Sequence, residues 1–188
     1  MSTAQLVREA RRGCGLSQRA LAKRAGVHQP ALADIERGAH DTTGGQLDRL
    51  VSAAGYRLVV VPTTAASGAE WADVIYQELR SARRSEAVAF RALIGLSDDL
   101  ATQPGPVRVA LCVAPPGPCG DARFDAGVAA VVEHHLSRSR LPIPDWVGDP
   151  SRTLSEPWAV SPHADAATVP KAFRHHGVLL AGSELASV

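Results

Sequence analysis

The sequence predicts a mainly α protein in two parts. A compact helical unit fills residues 1–62, and a mostly α, proline-rich C-terminal region with a few short strands fills residues 70–188. Three observations predict this. In the first third, apolar residues recur at three- and four-residue spacing, the period of a helix face. A small, polar stretch without periodicity, Thr63-Thr64-Ala65-Ala66-Ser67-Gly68, then interrupts the pattern, so residues 63–69 read as a linker. The charge also divides: residues 1–60 carry 9 Lys/Arg against 5 Asp/Glu (+4) and the remainder 11 against 14 (−3), although the whole chain is only +1. A basic head on an acidic body suits phosphate contact at one end and a protein partner at the other.

The first helix is expected from Thr3 to about Arg12, with Leu6, Val7 and Ala10 as its buried stripe and Gly13-Cys14-Gly15 ending it. A second begins at the polar cap Ser17 and runs to Arg24. Ala25-Gly26-Val27 then turns the chain, Gly26 tolerating positive φ at no steric cost. A third follows His28 and runs from Gln29 to Arg37, with Pro30 in the first turn, where its missing N–H costs nothing. Leu16, Leu21, Ala22, Ala25, Val27, Leu32 and Ile35 fall at spacings that close one small core. Gln18, Gln29, Pro30, Ala33 and Asp34 are left outside. A core that fixes the angle between two short helices, with the second presenting its N-terminal half to a groove, is the layout of a helix-turn-helix. A fourth helix starts after Thr42 or Thr43, carries Leu47, Leu50, Val51 and Ala54 on one face, and stops at Gly55.

The motifs Gly15-Leu16-Ser17-Gln18, Leu21-Ala22, Ala25-Gly26-Val27 and Ile35-Glu36-Arg37-Gly38 resemble the Xre, or lambda-repressor-like, helix-turn-helix proteins over the first third of the chain. The resemblance implies a sequence-specific DNA-binding domain that docks as a homodimer on a double-stranded operator. It implies that Gln29 contacts adenine in bidentate fashion and that Gln18 contacts the backbone and braces that side chain. It also implies that Arg11 and Glu36 form a structural pair linking the first helix to the third.

For phosphates the chain offers the N-terminus of the second helix at Ser17-Gln18, Arg37 at the end of the third, and Thr43-Gly44-Gly45, where two glycines let N–H groups approach an anion. Asp34 departs from the usual pattern at a base-facing position, and either accepts from cytosine N4 or orients a neighbour. His28 replaces the usual Ser/Thr cap.

Beyond the first unit, Tyr56–Val61 reads as a strand ended by Pro62, in need of a mate from a second copy or from the apolar stretch Val107–Val113. Glu70 to about Leu100 reads as one helix or two joined near Arg84-Ser85. Asp121 to about Ser137 reads as another, Pro170–His175 as a late helical patch, and Val178-Leu179-Leu180 as a short strand or an anchoring run. The segments Leu141–Trp146, Ser155–Trp158 and Ala172–Gly177 are similar to C-terminal regions of bacterial Xre-type proteins encoded beside toxin genes. That resemblance implies a cognate toxin as partner and makes Trp146, Trp158, Phe173 and Arg174 the candidate anchors.

Enzyme chemistry finds little support. The pairs His134-His135 and His175-His176 lack the i, i+4 spacing of two ligands on one helix face. Adjacent helical residues point about 100° apart, so each pair is expected to supply one ligand at best. No metal site and no cofactor are expected. The run Ala114–Gly120 lacks the Gly-Lys-Ser/Thr of a phosphate loop, and no nucleophile elbow occurs. Cys14, Cys112 and Cys119 form no paired motif, no secretory signal opens the chain, and no apolar run approaches the roughly 20 residues of a membrane span. A reduced, cytoplasmic chain is expected. The function that follows is a transcriptional repressor, foremost an autoregulating antitoxin. A regulator that senses a small molecule through residues 70–188 is the alternative, and an enzyme with a DNA-binding head comes third.

Overall fold

The computed structural model describes residues 2–160 and 168–185. The chain divides into two compact units, Met1–Pro62 and Thr63–Val188, each built on its own apolar core.

The first unit is four helices: α1 (Thr3–Gly13), α2 (Gln18–Ala25), α3 (Gln29–Arg37) and α4 (Gly44–Ala53). Three of them start where a side-chain oxygen caps a free N–H: Ser2 accepts from Gln5, Ser17 from Ala20, and Thr43 from Gln46. His28 caps α3 without a side-chain hydrogen bond. Gly26 and Gly38 end α2 and α3 in left-handed geometry, with φ of 65° and 75°. Val7, Leu21, Leu32 and Leu50 interlock at the centre, with Ala22, Ala25, Ile35 and Ala54 around them. Of the expected α1 stripe only Val7 is fully buried. Leu6 and Ala10 are half-covered.

After α4 the chain departs from expectation. Residues 56–61 take no strand pairing, and Val59 and Val60 are 79% and 80% exposed. The β-branched pattern supplies propensity, but a strand exists only against a partner. The stretch considered as one possible mate is itself helical, α7 (Gly105–Val113). Pro106 sits in its first turn, and Val107, Leu111 and Cys112 are buried at helical spacing. An apolar run of that length is ambiguous by pattern alone, and burial along one helix face decides it.

In the second unit, α5 (Gly68–Arg80) and α6 (Glu86–Thr102) form a pair separated at residues 81–85. The stretch read as a linker over 63–69 ends inside structure. Ser67 and Glu70 cap α5 reciprocally, the Ala66 N–H donates to the Asp99 carboxylate at 2.9 Å, and Gly68 is buried. Asp99 also accepts from Trp71 Nε1 at 2.8 Å, and the Trp71 ring lies over Gly95 so closely that a Cβ there would stand 2.5 Å from it.

The centre of the unit is α8 (Ala122–Arg138), capped by Asp121, in which every residue from Ala126 to Val132 is buried. A helix apolar all round must be enclosed, and α5, α6, α7 and α9 (Lys171–His175) pack on it. Two short parallel strands, β1 (Trp158–Ala159) and β2 (Val178–Leu179), pair in the register Trp158↔Val178. Among the described residues, no helix is long and apolar enough to cross a membrane.

Candidate nucleic-acid interface

The α2-turn-α3 arrangement leaves the first turn of α3 in solvent: His28, Gln29 and Pro30 are exposed, and Ala33 and Asp34 are half-exposed on the next turn. Ser17, Arg19, Lys23 and Arg24 of the α2 segment are also exposed, as are Thr43, Gly44 and Gly45 at the start of α4. A Cβ at Gly44 or Gly45 would meet no atom within 4 Å, so the approach to the α4 N–H groups is open.

Behind this surface runs a continuous chain of polar contacts. Arg11 grips the Glu36 carboxylate with Nε at 2.6 Å and Nη2 at 2.9 Å, while its Nη1 donates to the Leu16 carbonyl at 2.9 Å. Gln18 Nε2 donates to the same carboxylate at 2.9 Å, and Gln29 Nε2 donates to Gln18 Oε1 at 3.4 Å. The Glu36 side chain is 3% exposed and that of Arg11 13%. Burial alone would push the Glu36 carboxyl up. Hydrogen bonds from Arg11 and Gln18, with the charges of Arg11 and Arg8, outweigh that and hold it below the ordinary carboxylate value. The hydrogen bond to Glu36 correspondingly raises Arg11. Both partners are therefore fixed in their charged forms.

The chain positions Gln29 from one side only. Gln29 is exposed and its amide gives one N–H to Gln18, which leaves its oxygen and second N–H for a partner. Those two atoms form the donor-acceptor edge that matches adenine N7 and N6.

Asp34 and Arg37, one helical turn apart, are ion-paired at the surface. The carboxylate thus orients a neighbour, and Arg37 reaches outward from a position it does not choose freely. Sequence reasoning passed over Arg8, whose guanidinium donates to the Glu36 backbone carbonyl in the last turn of α3. Its signal was present, since Arg8 lies three residues before Arg11 on the same α1 face.

In the second unit the candidate partner anchors separate. Phe173 is fully buried, a core residue whose ring meets His134 edge-on at 5.8 Å, and so is no surface anchor. Trp146 and Trp158 are half-buried. Trp146 Nε1 donates to the Cys112 carbonyl at 2.9 Å under the Arg152 guanidinium, and Trp158 meets the Phe124 ring at a 55° tilt and carries the Arg123 guanidinium over its own ring. Arg174 is exposed. The expectation that the rings of adjacent histidines point apart does not hold at His175-His176. His175, the last residue of α9, and His176, its C-cap, both reach Glu133 although they are adjacent on the helix.

The structure places Phe90, Phe124, Trp158, Val160 and Leu180 along one groove of the second unit, with Glu86 and Glu184 also on its wall. Cys112 and Cys119 are buried thiols, desolvation pushing Cys112 up to about 12 and Cys119 further, whereas Cys14 is exposed.

A family model described as Helix-turn-helix matches residues 7–61. No curated protein and no solved structure matches the chain. The match spans α2, the Gly26 turn, α3 and the buried Arg11–Glu36 pair behind them. Residues 7–61 are thus an Xre-type, lambda-repressor-like helix-turn-helix domain, and the chain is a DNA-binding transcription regulator.

Proposed function

We propose that the chain is a cytoplasmic, autoregulating repressor whose second unit binds and neutralises a cognate toxin protein. The observation that carries the DNA half is the braced Gln29. Its oxygen and second N–H, held by Gln18 and Glu36, offer a bidentate edge to an adenine in the major groove. Ser17, Gln18, Arg37 and the Thr43-Gly44-Gly45 turn supply phosphate contacts around it, with His28, Pro30 and Ala33 along the groove wall. A homodimer would read two half-sites about 34 Å apart.

The toxin half rests on the separate core of Thr63–Val188 and on its apolar groove. An aromatic floor with Glu184 on its wall, and Glu86 there already paired with Arg123 at 2.9 Å, suits a mainly apolar segment of a protein partner with a single positive charge. Trp158 and the exposed Arg174 extend the candidate contact surface. The same groove supports a second reading, in which a small amphiphilic cation binds there and the chain is a ligand-sensing regulator.

Co-expression with the reading frame next to its gene tests the first reading. The chain should relieve growth arrest caused by that frame's product, and Phe90→Glu should abolish relief while operator binding persists. Unrelieved arrest, or relief untouched by Phe90→Glu, counts against it.

A further inference from the structure

Glu133 of α8, His175 in the last turn of α9 and the following His176 bring one carboxylate and two imidazoles to a point. Glu133 Oε2 lies 2.8 Å from His175 Nδ1 and 2.9 Å from His176 Nε2. One donor atom from each residue falls within 4.8 Å of the other two. The three side chains differ in exposure: His176 is wholly buried, Glu133 is 20% exposed, and His175 is 60% exposed. The cluster therefore has a closed inner wall and an open outer face.

The buried imidazole is oriented from behind. His176 Nδ1 lies 2.7 Å from the backbone oxygen of Arg152. A carbonyl only accepts, so Nδ1 carries hydrogen and Nε2 is left facing the carboxylate. A backbone carbonyl on one ring nitrogen is the outer-shell contact that fixes the tautomer and direction of a metal-ligating histidine. If Nε2 carries a lone pair, that lone pair and a carboxylate oxygen repel each other at 2.9 Å, and a cation between them removes the repulsion.

We propose that Glu133, His175 and His176 form a Zn²⁺ site, with two imidazole nitrogens and one carboxylate oxygen as ligands and the outer position open to water. Nitrogen and oxygen donors of this borderline type suit zinc, and three protein ligands with one open position is one of its standard coordination sets. Zn–N and Zn–O bonds near 2.0–2.2 Å set tetrahedral ligand atoms about 3.3 Å apart, a few tenths of an ångström beyond the observed contacts. Rotation of the exposed His175 with a small shift of the Glu133 carboxylate would widen both contacts and bring the two histidine nitrogens, within 4.8 Å of each other, to that separation. The ion would clip α9, which carries the core residue Phe173, onto the central helix α8. The competing arrangement is a proton-bridged ion pair, with no metal affinity.

The test titrates the chelator-stripped full-length chain with Zn²⁺ alone against a chromogenic competitor, and uses Co²⁺ as a spectroscopic substitute. The expected result is one tightly held Zn²⁺ per chain and a Co²⁺ complex with ligand-field bands but no thiolate-to-cobalt charge transfer. His175→Ala and Glu133→Gln should each weaken binding by more than about tenfold, the loss that even an outer-shell change produces. Zinc should raise the melting temperature of the wild type and not that of His175→Ala. Metal-free His175→Ala should melt close to the metal-free wild type, because that side chain is mostly solvated. Absence of micromolar Zn²⁺ binding, a thiolate band, or wild-type affinity in both variants overturns the proposal.

Discussion

Removing the Arg11 guanidinium should destabilise the N-terminal unit by about 3 kcal/mol, the lower part of the range for breaking a buried pair from one side. In Arg11→Met the aliphatic stem survives, so little packing is lost. What disappears are two charge-assisted hydrogen bonds to Glu36, at 2.6 and 2.9 Å, and one to the Leu16 carbonyl at 2.9 Å. The Glu36 carboxylate, 3% exposed, is left with Gln18 as its side-chain donor. That remaining bond and the nearby charge of Arg8 keep the cost at the low end.

Replacing both partners with methionine removes the stranded charge as well as the pair. The double variant should then be more stable than the two single changes add to, with a coupling of about 2 kcal/mol or more. Native-state hydrogen exchange of the α1–α4 amides in the full chain reads this without requiring a single two-state transition. A cost below about 1 kcal/mol for Arg11→Met, the value of a solvent-screened pair, would refute the reasoning. So would strict additivity in the double variant.

Two further outcomes follow from the second unit and from the ordering of the two in acid. Desolvation lowers His135 to about 4, with smaller contributions from His134, Arg108 and Arg138, below its unfolded value of 6.5. The unfolded chain therefore binds the extra proton first, and stability present above pH 6.5 is lost as pH falls toward 4, by on the order of 2–3 kcal/mol. Glu36 is depressed from 4.5, so its contribution to the first unit is lost only below that value. The tryptophans Trp71, Trp146 and Trp158 all lie in the second unit, and their fluorescence should report its weakening between pH 6.5 and 4. His135→Gln should flatten that slope, and an unchanged slope would remove His135 as its cause. Gly95→Ala should cost about 1–3 kcal/mol, because the new methyl meets the Trp71 ring at 2.5 Å and the ring is held by Asp99. Denaturant unfolding followed by the same fluorescence measures it, and a neutral substitution would show that the ring moves freely.

The first unit was legible because its information is local. Ser17, Gly26, Thr43 and Gly38 mark helix ends by chemistry that acts within a few residues, and Leu21, Leu32 and Leu50 mark the core by period. The second unit depends on contacts distant in sequence. The stretch 107–113 is apolar enough for either a strand or a helix, and its burial against α5 and α8 is what a linear reading lacks. Phe173 was a candidate anchor through the resemblance of Ala172–Gly177 to partner-binding tails, and a helical patch of one turn carries too little periodicity to mark it as core, yet it closes the core beside His134. The same holds for His175 and His176. Their convergence on Glu133, 42 and 43 residues away, depends on α9 packing against α8, which no local pattern records. At the interface, residue types announced Gln29 and Gln18, whereas the contact order Arg11–Glu36–Gln18–Gln29 and the pairing of Asp34 with Arg37 required coordinates.

The central claim is that a braced Gln29 on α3 reads a base in each half of a symmetric operator. Selection of bound duplexes from a random library, run in parallel with the wild type and with Gln29→Ala, tests it most directly. The account predicts that the wild type enriches an inverted repeat with half-sites about 34 Å apart and a fixed adenine in each half. In Gln29→Ala the preference for that adenine should relax, with a loss of roughly 1–3 kcal/mol at the selected site and nearly unchanged nonspecific binding. Enrichment of the same adenine by both proteins, or of no sequence by the wild type, would contradict it.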